Sequence, residues 1–319
     1  MSNEPNPSPS AIANTRVADL LKRRQTTRAI RAAALEKLDN RFTLKLQLSA
    51  AAEEVASAST QTAGYLVAAG DSWFDYPFPF CDDILVQLHD HHGYNIESSA
   101  HYGDRIESMP YKGGQIDRLL RNLDKLHDQG ITPKAVLISG GGNDFAGEEF
   151  GMLLNSAASG IGGWNQEILD GLIQQRIRTS YYAFLLDINQ LCSTIFGQTI
   201  PILIHGYDYP VPDGRGFLGG AWILPGPWLK PGFDEKLFIN DVPGNTNRMR
   251  TVIDKFNDML ATLVQDPAVE KVHYIDLRNT LSSVLTDDAY KRDWNNELHP
   301  EERGFVAIAN KFAHVLDTL

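Results

Sequence analysis

Short strand candidates punctuate this chain: the apolar run Tyr65–Ala69, then Tyr94–Ser98, Ala135–Ser139, Ile200–His205 and Val272–Asp276, bounded by glycine or polar residues. Runs of that length bounded by turn signals read as buried strands. Between them apolar residues recur at helical spacing over Cys81–Asp90, Gly114–His127, Gln166–Cys192 and Arg248–Leu263, and a last such stretch covers Gly304–Leu319. Strands alternating with helices predict an α/β fold, with about five parallel strands covered by helices on both faces. Such sheets gather ligands at the carboxyl ends of their strands. The first three runs lead into Gly70-Asp71-Ser72, Tyr102-Gly103-Asp104 and Gly140-Gly141-Gly142-Asn143-Asp144, so each polar cluster falls where a site is built.

The ends of the chain follow other patterns. Residues 1–14 are rich in Pro, Asn and Ser and are expected to be a disordered tail. Residues 15–62 carry Leu20, Leu21, Ile30, Leu35, Leu38 and Leu44 at roughly helical spacing in an Ala-, Glu- and Arg-rich background, which predicts a helical N-terminal extension. It packs on the main domain, residues 63–319, or mediates self-association. The connection 207–247 breaks the strand–helix rhythm. It is long, rich in Pro and Gly, and carries Tyr207, Tyr209, Phe217, Trp222, Trp228 and Phe233, which suits a lid or wall over the site.

Composition narrows the function classes. The net charge of −11 and pI near 5.3 disfavour a nucleic-acid partner and an anionic membrane surface. No apolar run approaches a membrane span and the first residues lack the apolar core of a secretory signal, so the expectation is a cytoplasmic protein without an integral membrane segment. The two cysteines, Cys81 and Cys192, have no metal-knuckle or redox spacing. His89, His91 and His92 sit where a helix ends and read as terminal charges rather than metal ligands. No metal and no cofactor are expected.

A serine hydroxyl needs a base within hydrogen-bond reach to act as a nucleophile. His299, in Trp294-Asn-Asn-Glu-Leu-His299-Pro300 just before the last helical stretch, is placed to reach Ser72. Acyl transfer also needs donors for the oxyanion that develops, and Gly103, Asn143 and the Ser72 N–H suit that task. Asp71 and Asp144 read as loop braces. Trp73, Tyr207, Trp222 and Trp228 are candidate substrate contacts.

Gly70-Asp71-Ser72, the glycine Gly103, Gly141-Gly142-Asn143-Asp144 and His299-Pro300, in that order over residues 65–319, resemble the four blocks of the SGNH, or GDSL-type, esterase and lipase superfamily. The resemblance implies a flavodoxin-like three-layer α/β/α fold. It makes Ser72 the nucleophile and first oxyanion donor, Gly103 and Asn143 the other donors, and His299 the base. The family carries Asp three residues before the histidine, where this chain has Asn296. An amide there accepts the ring N–H but brings no charge; the same exchange in a serine protease cost about 10⁴ in rate. Asp293 is the foremost replacement, ahead of a Ser72–His299 dyad held by Asn296 or a backbone carbonyl, with Glu297 or Asp276 behind.

The expected function is hydrolysis of a small-molecule carboxylic ester, with a short acyl group preferred. Activity on longer acyl esters, as in a lipase or lysophospholipase, is the alternative within the class. Outside it stands a binding module that has kept the fold and lost turnover, which is what Asn296 in place of an acid would leave. An assembly role for residues 16–59 is the third reading.

Overall fold

The computed structural model describes residues 8–35, 62–77, 81–217 and 225–319. The chain divides into two compact units, residues 1–63 and 64–319. In the first, helix α1 runs Pro9–Leu35. It begins inside the stretch 1–14 expected to be a tail. Pro9 at the first helical position lacks only an N–H that would have no partner there, and Ser8 Oγ accepts from Ala11 N–H at 3.3 Å, so this Pro/Ser segment starts a helix. Leu38, Leu44 and the rest of the extension to residue 61 lie outside the described residues.

The second unit is built on a five-stranded parallel sheet. Its strands are β1 (Gly64–Ala69), β2 (Tyr94–Ser98) and β3 (Ala135–Ile138). A separate antiparallel pair, β4 (Leu154–Asn155) and β5 (Gly163–Trp164), follows, then β6 (Ile202–His205) and β7 (Val272–Ile275) return to the main sheet. The order is β2-β1-β3-β6-β7. That is the flavodoxin-type order, which reverses direction between β1 and β3 and opens a crevice at their carboxyl ends. β3 and β6 are buried throughout, as expected of strands covered on both faces.

The helices are α2 (Ile84–His92), α3 (Gln115–Asp128), α4 (Gln166–Asp170), α5 (Arg178–Phe196), α6 (Lys230–Glu235), α7 (Val242–Leu263) and α8 (Glu302–Leu316). α2 packs on α8, while α3 packs on α5 and α5 on α7. In α3 the buried Ile116, Leu119, Leu120, Leu123 and Leu126 form one stripe. The stretch expected as one helix from Gln166 is α4 and α5 joined by a π-helical turn, Gly171–Ile177. His89, His91 and His92 fill the last turn of α2 before Gly93.

The connection 207–247 carries more regular structure than expected. It holds α6, and its last residues already belong to α7, which starts ahead of Arg248 because the Asp241 side chain accepts from Gly244 N–H and Pro243 favours a first turn. Phe233 and Phe238 are buried in it. Among the described residues, no helix is long and apolar enough to cross a membrane.

Candidate active site

The turn after β1 is shaped by its own polar groups. Asp71, 2% exposed, accepts from Trp73 N–H at 3.0 Å and from Ser139 Oγ at 2.6 Å, while the Tyr207 hydroxyl donates to its other oxygen. The same hydroxyl accepts from Gly142 N–H at 3.2 Å, joining the loops after β1 and β3. A Cβ on Gly70 would fall 2.7 Å from Ser139 Cβ, so glycine is what lets the two strand ends close. Gln115, buried at the start of α3, accepts from Gly70 N–H and donates to Gly70 O and to Asp104. Asp144 receives Ile106 N–H at 2.9 Å and Glu107 N–H at 3.1 Å, and burial raises its pKa to about 6. Three loops are thereby fixed to one another by buried hydrogen bonds.

On this platform Ser72 Oγ lies 2.7 Å from His299 Nε2. His299 is held by a tight turn in which Trp294 pairs with Pro300 and Asn295 N–H donates to His299 O at 2.9 Å. Asn296, 1% exposed, turns its Oδ1 inward to accept from Leu298 N–H, His299 N–H and the ring at Nδ1, each at 3.0 Å. An oxygen that receives two backbone N–H groups can only accept, so the ring carries its proton on Nδ1 and leaves Nε2 free to take one from Ser72. The rings of Tyr76, Phe217 and Trp228 lie 4.9, 5.4 and 5.5 Å from the imidazole. Burial pushes the His299 pKa down to about 3.

Asp293 does not reach the imidazole, contrary to expectation. Its backbone carbonyl accepts from Glu301 N–H, which turns the side chain toward Ser282; one carboxylate oxygen accepts Ser282 N–H at 2.7 Å and the other lies 3.6 Å from Arg303 Nε. Asp276 pairs with Arg278. Glu297 is buried among four backbone donors, Gly214, Trp228, Leu229 and Lys230, and burial raises its pKa against their pull toward the ionised form. It fastens the histidine loop to the 207–247 connection. Glu297→Ala strands the buried Leu229 N–H and three half-buried ones, and we expect it to destabilise the fold by about 3 kcal/mol or more in chemical denaturation. A change under about 0.5 kcal/mol would remove this anchoring role.

Gly103 has φ +80°, a left-handed conformation natural only to glycine. Among the described residues neither its N–H nor that of Ser72 donates to a protein acceptor. Asn143 Nδ2 gives one hydrogen to Asp104 O at 3.0 Å, leaving a second. Ser72, Gly103, Asn143 and His299 share the wall of a cleft of about 370 Å³ with Tyr102, Phe217 and Trp228. A cavity of about 40 Å³ also borders Ser72, bounded by Trp73, Tyr207, Trp294 and Met249.

Of the expected substrate contacts, Trp228 lines the cleft. Trp73 and Tyr207 are buried and brace the site, with Trp73 Nε1 donating to Leu298 O and its ring packing on Tyr207, and both also border the small cavity beside Ser72. Trp222 lies outside the described residues. Tyr76, Gln115 and Ser139 were not foreseen, because no local motif marks them.

No family model matches the chain, and no curated protein matches it in sequence. Solved structures do. They include a GDSL-like lipase from Parabacteroides merdae (13% identity, TM-score 0.43, 81% of this chain and 98% of that one). A lipase from a goat rumen metagenome matches at 13% and 0.46 over 79% and 97%. A catalytic mutant of an acetylxylan esterase from Geobacillus stearothermophilus matches at 14% and 0.38 over 81% and 95%. The class of fold, a flavodoxin-like α/β/α sandwich, is defined by this chain's own strand order. In that fold and in the order of its four loops the chain resembles the SGNH/GDSL superfamily.

Proposed function

We propose that this protein is a serine esterase that cleaves esters of short carboxylic acids through an acyl-enzyme. The observation that carries the reading is the 2.7 Å contact between Ser72 Oγ and His299 Nε2, with the ring tautomer set by Asn296. Ser72 Oγ attacks the ester carbonyl as its proton passes to Nε2. The carbonyl oxygen gains charge where the N–H groups of Ser72 and Gly103 and the free Asn143 amide hydrogen can meet it. The imidazolium returns the proton to the departing alcohol, and a water repeats the sequence on the acyl-enzyme.

The two spaces beside Ser72 support a division of the substrate. The smaller, about 40 Å³, has room for roughly three water-sized groups, which suits an acetyl or propionyl chain. The larger, aromatic-walled cleft suits the alcohol. A fluorophosphonate is expected to label Ser72 within minutes, seen as a mass shift on its peptide. On p-nitrophenyl esters from acetate to palmitate, kcat/KM should fall steeply beyond butyrate. An unlabelled serine would point to a non-catalytic binding module, and a preference for palmitate to a lipase with its acyl chain in the larger cleft.

A further inference from the structure

Nothing charged touches the imidazole directly, yet an unbroken run of hydrogen bonds leads away from it. His299 Nδ1–H donates to Asn296 Oδ1 at 3.0 Å. The Asn296 amide nitrogen donates to Asn295 Oδ1 at 3.3 Å, and lies 3.4 Å from the Tyr76 hydroxyl, which itself donates to Asn295 Oδ1 at 3.2 Å. The Asn295 amide nitrogen donates to Glu301 Oε1 at 3.0 Å. The run ends on a carboxylate.

The direction of this run is not arbitrary. An ionised carboxylate can only accept, so Asn295 must show Glu301 its NH₂ and show Asn296 its oxygen. At the other end, the N–H groups of Leu298 and His299 require the Asn296 oxygen. The two ends impose the same orientation on both amides, and that orientation holds the proton on Nδ1. Hydrogen bonds in series also polarise one another, each donor to an anion making its own carbonyl a better acceptor.

We propose that Glu301 is a positioning residue for the Ser72–His299 pair: its charge, conveyed through Asn295 and Asn296, fixes the His299 tautomer and strengthens Nε2 as a base. The proposal rests on the esterase reading and extends it. It gives a charge-bearing end to a site that lacks the usual acid. With Glu302 beside it on α8, Glu301 adds its charge to burial in raising the Cys81 pKa, and it raises that of Tyr76 behind the larger effects of burial and Cys81. Arg215, paired with Asp213, donates to the backbone carbonyls of Trp294 and Asn295. On the imidazole itself, Ser72, Tyr76 and Asn296 are the polar side chains in contact or hydrogen-bond reach.

The test is kinetic, on p-nitrophenyl acetate with the full chain. Glu301→Gln keeps the size and an accepting oxygen but removes the charge. It should lower kcat roughly fivefold, as expected for exchanging a charged for a neutral hydrogen bond, with KM unchanged and the acidic limb of the pH profile moved lower. Asn295→Ala leaves the charge but cuts the run, and should cost about the same; it also serves should the first variant fold poorly. In an Asn296→Asp background, where a carboxylate meets the ring directly, Glu301→Gln should no longer lower kcat. Wild-type kcat and pH profile in Glu301→Gln, or equal losses in both backgrounds, would overturn the proposal. Full activity in Ser72→Ala would instead sink the esterase reading beneath it, so the two failures are distinct.

Discussion

Ser72→Ala lowers kcat for p-nitrophenyl acetate by roughly 10⁴-fold or more, with KM and the thermal midpoint little changed. The hydroxyl contributes one hydrogen bond to His299 and borders two cavities, so its removal leaves no buried charge and no large void. His299→Ala should cost about as much, and the double variant hardly more, because nucleophile and base act as one unit. The remaining rate would come from the donors around Gly103 and Asn143. A Ser72→Ala enzyme with more than about a tenth of wild-type kcat would place the chemistry elsewhere.

What makes the effect so large is the way three loops converge on one point. Asp71, Gln115 and Asp144 each tie one strand-end loop to another. Tyr207, just after β6 and so beside β3 in the sheet, bridges Asp71 and Gly142. Ser72, Gly103 and Asn143 therefore share a common frame, and in the proposed reaction little reorganisation is left to the chemical step. Glu297 extends that frame to the histidine loop by gathering the N–H groups of the aromatic wall.

The sheet was legible because three of its five strands, β1, β3 and β6, are continuous apolar runs, and such runs have few alternatives once turn residues bound them. Ser72, Gly103 and Asn143 were legible for a different reason, each sitting in a short cluster of residue types that strand ends favour, and His299 by its place in the polar turn before the last helix. The acid was not. Asp293 and Asn296 lie in one turn, and only the direction of the chain there, set by the Trp294–Pro300 pairing, decides that the amide faces the ring and the carboxylate faces Ser282. Likewise Trp73 and Tyr207 are aromatic residues near the nucleophile, which in sequence cannot be told from a substrate platform. Their hydrogen bonds to Leu298 O and Asp71 make them supports as well as walls of the small cavity. Pro9 misled in the opposite sense, since a proline at a helix start looks like a proline in a tail.

Asn296→Asp moves the acidic limb of kcat/KM upward from about pH 3, where burial holds the neutral His299. The sign follows from charge. Burial disfavours the imidazolium and so lowers the pKa, whereas a carboxylate 3.0 Å from Nδ1 favours it and raises the pKa. Wild-type enzyme therefore keeps its base unprotonated down to about pH 4, and the variant loses rate at a higher pH than wild type as the solution is acidified. Above pH 7 the variant gains, because the same carboxylate stabilises the imidazolium that forms as Ser72 attacks. About tenfold is expected, well short of the roughly 10⁴ that separates acid from amide in a serine protease, since this site is shaped around the amide. Asn296 uses its NH₂ toward Tyr76 and Asn295, and an aspartate there sets its oxygen against Asn295 Oδ1. Asn295 can relieve that only by turning its own oxygen toward Glu301. A variant whose acidic limb stays at the wild-type position would show that His299 is not the group titrating in the rate.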